Sequence, residues 1–504
     1  MNHFLVLTAT TVILLASGCI KQHTPESLRT LNAKDDVNFS VESRYDKSSP
    51  KTKPETEVTV ALPSLSGPIT LDEAIAYALA CNLNVAVSEA EKEVQREVET
   101  AAMMRMLPSL IVNAERSWKS RHVPSRSENY QTGVQSLAPS ISSEKAVRRQ
   151  SAELSWNLLD LAINVNLWKQ AGDRSKIRSL QIQRIKQNLS LDVTGAYMRA
   201  VVAKDSAKQA KTIVGYAMKR QKIIDTQMER GHIAKIDGLQ SGIDIAELLI
   251  RLTKYTDEYT ASKTELARLM GIDPSTSFEL AEMDFDAIPG PLLIKSDTLN
   301  QEAILNRPEL FELDLDGTIA AKDAEIALLQ MFPSLTPFVR YEHDSNKYLT
   351  RHDWFVSGLK LSWDLFSMPE AYAKEQSALA QSKLIKKRRM NMAMAVLTQL
   401  RLAMIEYENY QRQVEQTREL EDLREELTRE VHMQVETGRL KESTLLNADQ
   451  LYVIAHRARL IAYARLVTAR QRILNSLGRD WDDNGQQITT IVTPDTEKQV
   501  AKRQ

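Results

Sequence analysis

The sequence predicts a mainly α-helical chain in which long antiparallel helices alternate with a few β-strands, the whole layout given twice. Three observations carry this reading. Gly and Pro number only 16 each in 504 residues, so few positions break a helix. Short motifs return downstream at a fixed offset, the mark of an internal repeat. Between the helical stretches lie segments whose apolar residues alternate with period two.

Composition removes several function classes. With 43% apolar and 26% charged residues the chain is not wholly disordered. A net charge of -1 gives no bulk attraction to nucleic acid. Two cysteines exclude a disulfide framework and a four-cysteine zinc site. After the first 20 residues no apolar run reaches ~18, so no transmembrane helix is expected there. A membrane β-barrel passes that test, because its strands leave almost no hydropathy signal.

The elements follow in chain order. Phe4–Leu15 is apolar or small, too short for a span and suited to a signal-peptide core. Leu15-Ala16-Ser17-Gly18-Cys19 resembles the bacterial lipobox. That resemblance implies a signal peptide over 1–18 and a lipidated Cys19 as first mature residue, with Ile20 resembling an outer-membrane address. The run lacks a preceding Lys or Arg, and Ala16 stands where Leu is commoner, so a plain signal peptide with an incidental cysteine is the alternative. Acyl chains contribute about 0.8 kcal/mol per buried methylene, enough for several to anchor a terminus. Residues 19–67, rich in Lys, Ser, Thr, Pro, Glu and Asp, read as a strap or linker. Cys81 reads as a small core residue.

Ser155-Trp156-Asn157-Leu158 returns as Ser362-Trp363-Asp364-Leu365, Glu229-Arg230-Gly231 as Glu436-Thr437-Gly438, and Leu269-Met270-Gly271-Ile272-Asp273 as Ser476-Leu477-Gly478-Arg479-Asp480, all 207 residues later. Upstream, Met106–Leu110 matches Met331–Leu335 at an offset of 225. The difference between the two offsets puts 18 extra residues of the first half between Pro108 and Trp156. The chain is thus expected to comprise a first repeat over 68–271, an inter-repeat segment over 272–297, a second repeat over 298–480 and a tail over 481–504.

Each half reads the same way. A helix over about Asn82–Leu107, and another over Pro308–Phe332, stops at a proline. Alternating segments follow, carried by Ala152, Leu154, Trp156 and Leu158 in one half. In the other they are carried by Leu335, Val339 and Tyr341 and by Phe355, Leu359, Leu361, Trp363 and Leu365. Strands of ~10 residues with one apolar face suffice to cross a bilayer when tilted; a soluble hairpin lying on a core is the alternative. A helix over Asn164–Arg230 comes next, with Ile182, Ile185, Leu189, Val193, Ala196, Ala200, Ala203, Ala207, Ala210, Val214 and Ala217 forming a coiled-coil-like seam. Ala393, Leu397, Leu400, Met404 and Tyr407 predict the same seam in the second half. The long helix would measure roughly 100 Å at ~1.5 Å per residue. Gly231 and Gly438 then turn the chain into helices that return to Gly271 and Gly478.

This doubled layout resembles the TolC family of bacterial outer-membrane channel proteins. Thr70-Leu71-Asp72-Glu73-Ala74-Ile75 with Ala78-Leu79 is similar to the family's opening helix, and Asn306-Arg307-Pro308-Glu309-Leu310 to its second-half counterpart. Both Pro-Ser-Leu strand starts also match. The resemblance covers about residues 68–480. It implies a homotrimer whose four strands per chain close a 12-strand β-barrel in outer-membrane lipid, above an α-helical barrel crossing the periplasm. It places the lipid on the apolar strand face and Glu153, Lys360, Asp364, Arg340 and Glu342 in the lumen. It also implies a periplasmic adaptor docking at the tip turns Gly231 and Gly438, and an inner-membrane pump as energy source.

Asp237 matches a position the family often uses for polar locking; a solvated helix-start carboxylate is the equal alternative. The family's acidic iris positions are Thr444 and Asn447 here, with Asp449 just beyond, so a mechanical rather than an acidic constriction is implied. Small-molecule efflux is the function expected, with type I protein secretion or a lipid-anchored structural coiled coil as alternatives. No Walker loop, Gly-x-Gly-x-x-Gly turn, nucleophile elbow or HExxH motif occurs, so neither an enzyme nor a cofactor is expected. His343 and His352, beside Asp344 and Asp353, read as loop residues before they read as a metal site. Lys386-Lys387-Arg388-Arg389 reads as a solvated helix face before it reads as a nucleic-acid or adaptor contact.

Overall fold

The computed structural model of the chain describes residues 67–286, 296–440 and 442–479. The predicted signal peptide, Cys19, the strap up to residue 66, part of the inter-repeat segment and the tail lie outside the described residues. In order, the chain forms β1 (Pro68–Ile69), α1 (Leu71–Cys81), α2 (Leu83–Met104), β2 (Ser109–Trp118), β3 (Ala146–Ser155), α3 (Leu158–Glu229), α4 (Lys235–Met270) and β4 (Glu279–Leu280). It continues with α5 (Ser296–Asn306), α6 (Pro308–Leu329), β5 (Ser334–Asp344), β6 (Asp353–Ser362), α7 (Met368–Glu436) and α8 (Glu442–Ser476). No helix among the described residues is long and apolar enough to cross a membrane.

Local chemistry sets the ends of these elements. Thr70 starts α1 with a capping box: its hydroxyl accepts from the Glu73 amide at 3.3 Å, while the Glu73 carboxylate accepts from the Thr70 amide at 2.8 Å. Pro308 opens α6 at a position where no amide is needed. The four helix-ending glycines, Gly231, Gly271, Gly438 and Gly478, all have φ between 71° and 73°. In each case the next amide donates five residues back, to Gln227, Ala267, Gln434 and Leu474 respectively. That bond closes a left-handed helix cap that glycine adopts without strain.

At 72 and 69 residues, α3 and α7 run about 105–110 Å at ~1.5 Å per residue. Each is flanked by two shorter helices placed end to end. The C-terminus of α4 meets the α1–α2 junction, and that of α8 meets the α5–α6 junction. A Cβ on Gly271 would lie 2.2 Å from the Cys81 carbonyl oxygen, and one on Gly478 2.6 Å from that of Asn306. The α3 seam is buried as its spacing predicts, from Ile182 through Val193, Ala196, Ala200 and Ala203 to Ala217.

The main core gathers α1, the middle of α3 and α7, the ends of α4 and α8, and Leu299 and Ala303 of α5. A parallel pair, β1 with β4, lies on it. The buried Tyr197 hydroxyl donates to the Ile69 carbonyl at 2.9 Å, and the Lys204 ammonium to that of Leu280 at 2.7 Å. Burial, reinforced by Glu73 and Asp72, raises the Tyr197 phenol to about 12.

Three expectations need correction. The strands end at Ser155 and Ser362, so Trp156, Leu158, Trp363 and Leu365 lie beyond them. Asn157 and Asp364 start helical turns there, each side chain accepting from two backbone amides. Asp364 therefore belongs to no strand face. In α7 the deeply buried line is Val396, Leu400, Ala403, Tyr407 and Val414, whereas Ala393, Leu397 and Met404 sit at its margin. Two adjacent apolar columns compete on this helix, and packing selects the one that faces the core.

Candidate functional site

Four strands form one antiparallel sheet in the order β2-β3-β5-β6. Register decides its faces. Leu110 pairs with Leu154, Leu154 with Val339, Tyr341 with Phe355, and Leu335 with Leu361. Alternation then gathers these residues with Val112, Ala152, Pro337 and Leu359 on one face. Nothing among the described residues covers it: Val112 and Leu359 are each 72% exposed and Phe355 75%.

The opposite face carries Glu153, paired with Arg340, together with Glu342 and Lys360. Arg340 Nη1 lies 3.5 Å from Glu153 and Nε 2.9 Å from Glu342, while the guanidinium also sits 5.9 Å from the Phe338 ring. Arg149 and Asp344 extend this polar face with a pair at 3.1 Å. The sheet thus has one side that is apolar through its middle and one that carries the charges, together with Ile111, Phe338, Trp354 and Val356. Its outer strands, β2 and β6, each pair on one edge only among the described residues.

Where the sheet meets the helices, the two halves repeat one contact. Trp156 Nε1 donates to the Met106 carbonyl at 3.1 Å, and Trp363 Nε1 to that of Met331 at 3.1 Å. Next in sequence to these indoles and their acceptors stand exposed apolar side chains, among them Leu107, Phe332, Leu365 and Phe366. At the far end of the sheet the first-half loop, 119–145, holds the extra length read from the offsets; its second-half counterpart is only 345–352. His343 Nδ1 contacts Asp353 at 2.7 Å, and His352 Nδ1 the Asp344 carbonyl at 2.8 Å. Among the described residues no three His, Cys, Asp or Glu side chains gather as metal ligands.

The helix turns lie at the opposite end. Gly231 joins α3 to α4, and Gly438 leads from α7 toward α8. On the sheet side of these turns Ala210, Ala217, Ile224, Ile245, Leu248 and Leu252 form a second core. Asp237, in the first turn of α4, is exposed and makes no side-chain hydrogen bond or ion pair among the described residues. Thr444 and Asn447 are exposed on the first turns of α8; Asp449 is half-buried, and burial raises its carboxyl. The structure therefore groups Gly231, Gly438, Asp237, Thr444 and Asn447 at one end, and the sheet at the other. Of the basic cluster, Arg389 pairs with Asp314 at 2.5 Å, while Lys386, Lys387 and Arg388 are exposed.

Sequence reasoning missed the polar pins at the helix junctions, which link residues far apart in the chain; one of them, Glu309 to Arg184, crosses between the halves. Asn82 Nδ2 donates to the Leu269 carbonyl at 2.8 Å. At the equivalent second-half position Arg307 reaches the Asn475 and Ser476 carbonyls at 3.5 and 3.4 Å. Arg307 also binds Glu309 at 2.9 Å, and Glu309 binds Arg184 at 2.8 Å. Burial, then the neighbouring Arg307, lowers the Arg184 guanidinium below its ordinary value. The one available signal was the alignment of Asn82 with Arg307 at the 225 offset.

No known protein-family profile matches the chain, and no curated protein resembles it significantly in sequence. Solved structures match its fold. The Campylobacter jejuni CmeC outer-membrane channel is 15% identical with a TM-score of 0.66, covering 86% of this chain and 88% of that one. The outer-membrane channel OprN is 16% identical with a TM-score of 0.65, over 81% and 89%. The open-state Neisseria gonorrhoeae MtrE outer-membrane channel is 15% identical with a TM-score of 0.64, over 81% and 88%. The chain has the fold of these outer-membrane channels: long helices combined with a four-stranded sheet.

Proposed function

We propose that the protein is the outer-membrane duct of an export system: a homotrimer carrying cargo from an inner-membrane pump across the periplasm and outer membrane. The observation that carries this is the two-faced sheet at the end of helices about 105–110 Å long. Four strands cannot close a membrane barrel, for which ~8 is the lower limit. The unpaired edges of β2 and β6 allow each chain to pair with the next, and three chains give twelve strands. Lipid then covers the Val112, Leu359 and Phe355 side, while Glu153, Arg340, Glu342 and Lys360 line water. The exposed aromatic and aliphatic side chains around Trp156 and Trp363 suit the membrane boundary.

The tip turns at Gly231 and Gly438 are the docking end for a periplasmic adaptor, and Thr444 and Asn447 the candidate constriction. Cargo in this reading is small molecules, and the chain itself is a passive conduit, not an enzyme. Cys19, in its lipobox-like context, is the proposed lipid anchor; a Cys19→Ser variant that still incorporated radiolabelled lipid would exclude it.

The purified protein should form an oligomer whose gel mobility changes on heating and should conduct in planar bilayers. Absence of both ends the duct reading in favour of a structural coiled-coil protein. Leu359→Arg should impair membrane assembly by about 2–4 kcal/mol if that face meets lipid near mid-bilayer, whereas Lys360→Ala should leave assembly intact. Crosslinking in cells, followed by identification of the co-purified pump, decides cargo class; a protein-secretion pump would replace small-molecule export with type I secretion.

A further inference from the structure

Between the main core and the tip core lies a partly buried ionic cluster, centred on the buried Glu421, that joins the two halves. His456 of α8 places Nδ1 2.7 Å from Glu421 of α7 and Nε2 2.7 Å from Asp205 of α3. Arg459, one turn along α8, donates to the other Glu421 oxygen at 2.9 Å and also to Asp286. Asp286 follows β4 and has Arg418 of α7 3.8 Å away. One cluster thus ties α3, α7, α8 and the segment after β4. Both imidazole nitrogens face carboxylates, so a doubly protonated ring satisfies both as a donor.

Its position sets what it can do. On the main-core side its neighbours in sequence are Val202, Val414 and Leu460, all buried in that core. On the tip side the buried apolar cluster starts at Ala210 and is built from α3 and α4 alone, with Leu446 of α8 only partly buried at its margin. Above the cluster one apolar core therefore includes both halves, whereas below it the buried Val431, Ala448 and Val453 of α7 and α8 belong to neither core and the α3/α4 core stands by itself. From Asp205 to the end of α3, and from His456 to Gly438, the helices project roughly 27–36 Å toward the tip at ~1.5 Å per residue.

We propose that the His456–Glu421–Asp205–Arg459 cluster is the fulcrum of tip opening, a clasp holding the α3/α4 pair against the α7/α8 pair so that the pairs separate only below it. The assignment rests on the duct reading for its biological meaning, but its geometry is testable without any conductance.

The clasp also has a pH window. Burial alone would lower the His456 imidazole; hydrogen bonds to Asp205 and Glu421 outweigh it and raise the group from 6.5 to about 9. The other groups in its surroundings are Tyr452, stacked 6.2 Å away on α8, and the Arg457–Glu258 pair at 2.6 Å between α8 and α4. Burial would likewise raise Glu421, but His456 and Arg459 hold it below its ordinary value. A group raised on folding stabilises fully below its unfolded value and loses that contribution as pH rises through the folded one. The clasp should therefore hold at neutral pH and open as pH passes about 9.

The test places ketone-bearing residues at positions 237 and 444 of the full-length protein, couples nitroxides to them and measures their distance distribution. At pH 7.5 the parent should give a narrow distribution that broadens to longer distances with a midpoint near pH 9. His456→Ala should be broad at every pH. Asp205→Asn, which keeps the ring but removes one carboxylate, should lower the midpoint by on the order of one pH unit. A His456→Ala distribution as narrow as the parent's, or a pH 9 transition that survives in that variant, overturns the proposal. Should His456→Ala not fold, an unchanging parent distribution up to pH 10, or an unshifted Asp205→Asn midpoint, overturns it equally. A parent that fails to conduct in bilayers while its distances follow this pattern refutes the duct and keeps the clasp.

Discussion

At the tip, a Cβ added to Gly231 or Gly438 meets nothing within 4 Å; at the equator, one added to Gly271 or Gly478 runs into the backbone of another helix. All four glycines share one left-handed conformation, with φ of 71° to 73°, and one hydrogen-bond pattern. At the tip glycine serves the turn alone. At the equator it serves the turn and the abutment of two helix ends, where the missing side chain lets α4 reach Cys81 and α8 reach Asn306. A sequence position that reads the same in both places has one physical reason in the first and two in the second.

The two kinds of glycine differ most at Gly271. Alanine there meets the Cys81 carbonyl oxygen at 2.2 Å and its carbon at 2.7 Å, both backbone atoms that no rotamer can move. Left-handed strain of ~1–2 kcal/mol adds to displacement of the α1–α2 junction, for an expected loss on the order of 4 kcal/mol. Gly478→Ala, at 2.6 Å from Asn306, should lose slightly less. A urea titration followed by helical circular dichroism measures both. Losses equal to those at the tip would mean that the abutting helices move apart freely.

The polar pins beside the equatorial glycines differ between the two junctions. Asn82 and Arg307 occupy equivalent positions and hold equivalent carbonyls, Leu269 and Ser476, but only Arg307 is charged. Its side chain is 3% exposed and anchored by Glu309. Arg307→Ala should destabilise by about 3 kcal/mol, since it leaves a carboxylate and two helix-end carbonyls short of a donor. Asn82→Ala, removing a neutral donor and a helix cap, should lose about 1.5 kcal/mol. Equal losses, read in the same titration, would show that the charge adds nothing to the second junction.

Much of this frame was legible because it depends on periodicity and on glycine. The 207 offset located all four turns, and the Ile182–Ala217 spacing named the buried face of α3. The 225 offset located both proline-headed strand starts. The rest depended on contacts that no local pattern encodes. The strands stop at Ser155 and Ser362 because Asn157 and Asp364 cap the next helical turn, although Trp156 and Trp363 prolong the alternation. In α7 two apolar columns run side by side, and only packing chooses between them. His456 meets Asp205 across 251 positions, and in the sequence both are ordinary polar residues of long helices. Asp237, Thr444 and Asn447 gather at one end of the structure because the turns at Gly231 and Gly438 bring them there, not through any pattern of their own.

The smallest effect should be the tip substitution itself. Gly231→Ala and Gly438→Ala meet no atoms, so each loses only the left-handed strain, ~1–2 kcal/mol. Asn tolerates that conformation better than Ala, so Gly231→Asn and Gly438→Asn should recover part of the loss. The same exchange at Gly271 should recover nothing, because Asn brings its own Cβ to the Cys81 carbonyl. The Ala-to-Asn difference, measured at all four positions, therefore separates the two reasons for glycine: positive at the tip and absent at the equator. A positive difference at Gly271 would mean that backbone conformation, not helix abutment, fixes glycine throughout.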